Sequence, residues 1–159
     1  MTTYTHQTAP TQFVEANGIR FAYRRFGNPR GVPLVFSPHY TGTMDYWDPA
    51  VTDGLAKNRE VILFNNAGVS SSSGQVPASV QEMGANAIAF IKALGLTKVD
   101  VLGFSIGGNC AAGARSEFLP SGNGRKNDAA EKTSRVGNAA PKLVSSFVSA
   151  WRMPRHWPA

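Results

Sequence analysis

Val99-Asp100-Val101-Leu102-Gly103-Phe104-Ser105-Ile106-Gly107-Gly108 is the stretch that decides how this chain folds. Residues 99–102 form a short, mostly apolar run, the length and composition of a strand buried on both faces. The run leads directly into Gly103-x-Ser105-x-Gly107. A serine bracketed this way, between a strand and the start of a helix, sits on a tight turn in strained backbone. The glycines two before and two after leave room for that turn. The strain pushes the hydroxyl out beyond the carboxyl end of the strand. It also aims the next backbone N–H, that of Ile106, at the place where negative charge develops on an attacked carbonyl.

Upstream, the chain is regularly punctuated. Residues 11–16 and 20–26 read as two strands joined by Asn17-Gly18, a dipeptide suited to the positive φ angles of a tight hairpin. Asn28-Pro29-Arg30-Gly31 breaks the chain, and 32–37 is a second buried strand. Asp48-Pro49 reads as an N-cap followed by proline in the first turn of a helix reaching about Lys57. A further strand follows at 60–64 and a small-residue loop at 65–74. Ser79 and Glu82 make a capping-box pattern. Val80, Met83, Ala87, Ile88, Ile91 and Leu94 then recur at helical spacing up to Gly95, a residue suited to a left-handed helix end. A hairpin followed by strand–helix–strand–helix–strand predicts an α/β fold with a mostly parallel sheet.

Downstream of Gly108 this pattern stops. Residues 109–141 show no sustained period, 143–148 recover an apolar cluster, and a short helix is expected near Lys142–Trp151. Charge changes at the same point. Residues 1–108 carry eight Lys/Arg against seven Asp/Glu, whereas 109–159 carry eight against three, so most of the chain's net +6 belongs to the tail. The expected organisation is a flexible N-terminal arm over 1–10, a partial α/β domain over 11–108 and an irregular basic tail over 109–159. Such an abrupt loss of pattern suggests an altered reading frame, an unspliced segment or a misplaced terminus. No apolar run approaches the roughly 18 residues of a membrane span, so no membrane partner is expected. The single cysteine, Cys110, excludes an internal disulfide and fits a cytoplasmic setting.

Two further stretches carry a resemblance. Pro38-His39-Tyr40-Thr41-Gly42-Thr43 follows the strand at 32–37, the first of the α/β alternation, and Asn65-Asn66-Ala67-Gly68-Val69-Ser70 follows the next. Together with the Ser105 motif, they resemble the N-terminal half of the α/β-hydrolase family over about 11–108, with wording near 40–50 similar to its esterase and cofactor-free haloperoxidase-like branch. The resemblance implies a partial α/β-hydrolase fold cut off after the nucleophile elbow. It implies Ser105 as nucleophile, backbone N–H groups of Thr41 and Ile106 as the oxyanion hole, a small ester-like substrate, and neither cofactor nor metal. The family prefers Gly where Tyr40 stands. His39 is read as a brace for its loop, and Asn65–Ser70 as a turn satisfied by its own side chains.

The family order of serine, acid and histidine is met nominally by Ser105, Asp128 and His156. Fifty-four residues after Ser105 cannot hold the strand–helix units that normally carry the last two, so both read as solvated tail residues. The chain as written is therefore expected to be inactive. The alternative is a non-catalytic binding fragment that self-associates through an exposed sheet edge. A nucleic-acid partner, with Trp151 and Trp157 as stacking platforms, is not expected.

Overall fold

The computed structural model describes residues 4–108 and the strand at 148–152. Six strands form one sheet: β1 (Gln12–Ala16), β2 (Ile19–Gly27), β3 (Leu34–Ser37), β4 (Glu60–Phe64), β5 (Asp100–Phe104) and β6 (Val148–Arg152). Their order is β1-β2-β4-β3-β5-β6. The central strands β4, β3 and β5 are parallel, and antiparallel pairs flank them: β1–β2 and β2–β4 on one side, β5–β6 on the other. The α/β class read from the alternation is the one observed.

The hairpin turns as its dipeptide dictates, with φ of 51° at Asn17 and 73° at Gly18. Helix α1 (Pro49–Ala56) is capped by Asp48, whose carboxylate accepts the Ala50 N–H at 2.8 Å. Helix α2 (Val80–Ala93) is capped by Ser79, whose hydroxyl accepts the Glu82 N–H at 3.1 Å. The Glu82 carboxylate reaches one residue further back than a capping box requires, taking the Ala78 N–H at 3.0 Å.

Alternation along the central strands builds two cores, one on each face. Val35, Ile62, Phe64 and Val101 join Phe90 and Ile91 of α2; Phe64 and Phe90 stack with centroids 4.5 Å apart. Leu34, Phe36, Val61 and Leu63 face the other way, with Ala56 of α1 and Met44. Three layers result, and β3 and β4 are buried on both sides.

Three expectations change. The chain from His6 onward is not a loose arm. His6 is 3% exposed, its backbone N–H donates to the Asp53 carboxylate at 2.7 Å, and its ring Nδ1 meets the Thr52 hydroxyl at 2.8 Å. Apolar contact with Phe26 and three long-range polar partners outweigh the polar composition of the segment. The edge of β5 beside the elbow is not open either. It pairs antiparallel with β6, from Asp100↔Arg152 to Phe104↔Val148. The residues at 148–152, expected near a short helix, are therefore strand: unpaired N–H and C=O groups along β5 favour a ladder there. The rest of the predicted basic tail, with Asp128 and His156, lies outside the described residues.

Candidate active site

The sheet's topology locates the site before any side chain is considered. From β3 the chain crosses through α1 to β4 on one side; from β4 it crosses through α2, past β3, to β5 on the other. The strand order thus reverses at β3. In open α/β sheets the crevice at such a switch point, beyond the carboxyl ends of the strands, is where ligands bind. Here it lies between the loop after β3, which holds His39–Thr43, and the turn after β5, which holds Ser105.

Ser105 has φ of 56° and is exposed, with a helical turn beginning at Ile106. A non-glycine residue in left-handed conformation between strand and helix is the strained turn that the sequence motif specifies. Both flanking glycines are sterically required. A Cβ on Gly103 would lie 2.5 Å from the Gly107 carbonyl carbon and the Gly108 nitrogen. A Cβ on Gly107 would lie 2.5 Å from the Pro38 carbonyl oxygen and against that of Ser37. The elbow is therefore seated directly on the start of the β3 loop, backbone against backbone.

That loop is fixed from the other side. The Gly42 N–H donates to the His39 carbonyl at 2.9 Å, closing a turn with Tyr40 and Thr41 at its corners. Asn66 Nδ2 donates to the carbonyls of His39 at 3.1 Å and Tyr40 at 3.4 Å. The peptide joining Tyr40 to Thr41 is planar and trans, so pulling its oxygen toward Asn66 turns the Thr41 N–H the opposite way. Asn66 follows β4, on one side of β3, and Ser105 follows β5, on the other. None of the turn, loop and cap bonds among the described residues uses that N–H. Asn65, 1% exposed, accepts the Met44 N–H at 2.7 Å and holds the far end of the loop. The two asparagines thus brace a neighbouring loop, and Asn65 also serves its own turn, its Nδ2 donating to the Ser71 hydroxyl at 3.4 Å. Ser72 serves the same turn: its hydroxyl donates to the Asn65 carbonyl at 3.0 Å while accepting the Ala22 N–H.

His39 braces its loop as read. Its ring sits edge-to-face with Tyr46 at 5.5 Å and Phe104 at 6.2 Å, and a Cβ on Gly42 would meet it at 2.8 Å. Two charged pairs are held elsewhere. Arg59 bonds Asp100 at 2.6 Å and Arg25 grips Glu60 with two bonds of 2.9 Å, both at the amino ends of strands. The Glu60 hydrogen bond holds the Arg25 guanidinium above its usual pKa. Among the described residues no three His, Cys, Asp or Glu side chains gather to hold a metal ion, and no helix is long and apolar enough to cross a membrane.

Residues 32–121 match the alpha/beta hydrolase fold family. This chain belongs to that family. As a hydrolase-fold protein it is 32% identical, over 114 residues, to the N-formylmaleamate deformylase of Pseudomonas putida, covering 67% of this chain and 40% of the deformylase. Among solved structures, an alpha/beta hydrolase fold protein from Chitinophaga pinensis is 53% identical, with a TM-score of 0.64 over 66% of this chain and 38% of that one. Est816, described as an N-acyl homoserine lactone degrading enzyme, is 28% identical with a TM-score of 0.57, over 67% and 40%. This hydrolase-fold chain spans about two-fifths of the length of each of these relatives.

Proposed function

We propose that this chain carries the nucleophile and oxyanion half of a serine hydrolase for esters or related acyl compounds. The observation that carries the reading is Ser105 in left-handed conformation on a glycine-bracketed strand-to-helix turn, seated on the β3 loop. The Ser105 hydroxyl attacks a carbonyl carbon, and the oxygen that gains the electron pair is held by the N–H groups of Thr41 and Ile106. The hydroxyl proton passes to a base. The named relatives, a deformylase and a lactone-degrading enzyme, support acyl chemistry, and the single cysteine fits a reducing, cytoplasmic setting.

The base is what the described residues do not supply. His6 is tied to Thr52 on α1 and His39 is packed between Tyr46 and Phe104. Donors alone leave about 10³–10⁴-fold over water, so the chain as written hydrolyses p-nitrophenyl acetate only at a trace rate. A fluorophosphonate tests the reading: a slow adduct confined to Ser105 and absent from Ser105→Ala is expected. Equal labelling of both proteins would overturn it. Robust turnover lost in Ser105→Ala and His156→Ala would establish a triad completed by the tail; loss in Ser105→Ala and His39→Ala would establish a dyad.

A further inference from the structure

One end of the sheet carries a run of aromatic rings that the elbow alone does not require. Phe36, fully buried, meets Trp47 edge-to-face at 4.8 Å; Trp47 meets Phe104 at 6.3 Å; Phe104 meets His39 at 6.2 Å; His39 meets Tyr46 at 5.5 Å. The run starts in the core and surfaces beside Ser105, because Phe104 is the residue immediately before it. At the surface the rings are open: Phe104 is 37% exposed and Tyr46 74% exposed. Aromatic residues left uncovered at the mouth of a switch-point crevice are an apolar binding wall.

The wall carries no carboxylate, ammonium or guanidinium of its own. Two carboxylates lie in the same stretch of chain, and each is engaged elsewhere. Asp45 pairs with Arg24 at 2.5 Å, and Asp48 caps α1. No described Lys or Arg is paired into the ring cluster. Rings fixed edge-to-face to one another present both edges and faces, the arrangement a further planar ring joins best. Being fixed by the core through Phe36 and Trp47, they lose little freedom on binding.

We infer that the rings of His39, Tyr46 and Phe104 form the acyl subsite beside Ser105, and that it takes a neutral ester with a planar aromatic acyl group. The inference rests on Ser105 being the nucleophile, so the test separates the two. Benzamide and acetamide mimic an aromatic and a small acyl group without reacting, and their binding to the full chain is followed by NMR shifts of the His39 and aromatic ring protons. Benzamide is expected to bind about tenfold more tightly than acetamide. Phe104→Ala and Tyr46→Ala should each cut that preference at least threefold; Tyr46 is so exposed that its variant folds normally, which circular dichroism checks. Equal binding of the two amides, or a preference untouched by both variants, overturns the subsite even if Ser105 forms its phosphonate adduct. A ring-dependent preference without an adduct at Ser105 supports the subsite and removes the nucleophile reading instead.

Discussion

Gly107→Ala separates local propensity from the packing that holds the elbow. Gly107 stands in the helical turn after Ser105, and Gly54 stands inside α1. By propensity alone, alanine stabilises either position by up to about 1 kcal/mol. At Gly54 nothing lies within 4 Å of the added Cβ, so Gly54→Ala should stabilise by about 0.5–1 kcal/mol. At Gly107 the Cβ would lie 2.5 Å from the Pro38 carbonyl oxygen and press on that of Ser37, where 3.0 Å is the practical limit. Both obstacles are backbone at the end of β3, which no rotamer change can move. A retreat of about 0.5 Å therefore shifts β3 against β5, or lifts the elbow off the loop. Overpacking of this kind costs about 1–3 kcal/mol; set against the propensity gain, a net loss of about 1 kcal/mol is expected. Urea unfolding followed by circular dichroism measures it. With a slope of about 2 kcal/mol per molar, the midpoint falls by about 0.5 M for Gly107→Ala and rises for Gly54→Ala. Equal, positive shifts for both variants would show that the elbow is not seated on the loop.

The two asparagines after β4 should respond oppositely to aspartate. Asn65→Asp keeps the acceptor for the Met44 N–H, and the Ser71 hydroxyl can turn to donate to the buried carboxylate, so it should cost less than Asn65→Ala, which leaves that N–H buried and unpaired and should cost about 1–3 kcal/mol in urea unfolding. Asn66→Asp places a carboxylate against the His39 and Tyr40 carbonyls, so it should slow phosphonate labelling of Ser105 at least as much as Asn66→Ala does. Burial, and secondarily Arg24, lowers the His6 pKa against weaker opposing effects of Asp45, Asp53 and Asp48. The folded state then binds fewer protons than the unfolded, so His6 contributes stability above about pH 6.5 that is lost as pH falls through its folded pKa; His6→Gln should flatten that part of the stability–pH curve. Deleting residues 148–159 uncovers β5, and sedimentation velocity should show self-association that the full chain lacks.

The legible parts of this fold were those fixed by neighbours in sequence. Asn17-Gly18, Asp48-Pro49, Ser79 and Gly95 each act within four residues, and each sits where its local chemistry put it. The Ser105 turn was legible for the same reason, since its strain and both obstructed glycines fall within five residues. What the sequence hid depends on contacts between distant segments. Asn65 and Asn66 are polar residues in a small-residue loop, which by composition favours a self-satisfied turn; Asn65 does reach Ser71 in that turn, but their other side-chain partners lie 21 to 27 residues away. His6 pairs with a helix more than 45 residues on. The pairing of 148–152 with β5 spans more than 40 residues, and no periodicity announces it. A possible clue was available for Asn66: a polar residue directly after a buried strand, at a switch point, has a neighbouring loop within reach.

Among the described residues, the groups that seat Ser105 on the β3 loop lie between β3 and the turn after β5. The strain, the seat on Pro38 and the orientation of the Thr41 peptide by Asn66 are complete without any proton acceptor. Stabilising charge on a carbonyl oxygen and removing a hydroxyl proton are thus physically separate tasks, and under the proposed function the described residues carry the first. Preorganised donors cost nothing to reorganise when a tetrahedral centre forms, so they assist any acylating or phosphonylating reagent that reaches Ser105. A base assists only where a proton is in flight, and catalytic turnover requires that twice, once to activate the serine and once to activate water. Adduct formation and turnover should therefore part company here. One event at Ser105 can proceed slowly on the donors alone, while release of the acyl group stalls, so an acetylated Ser105 detectable by mass spectrometry is expected to outlast the p-nitrophenol burst that made it.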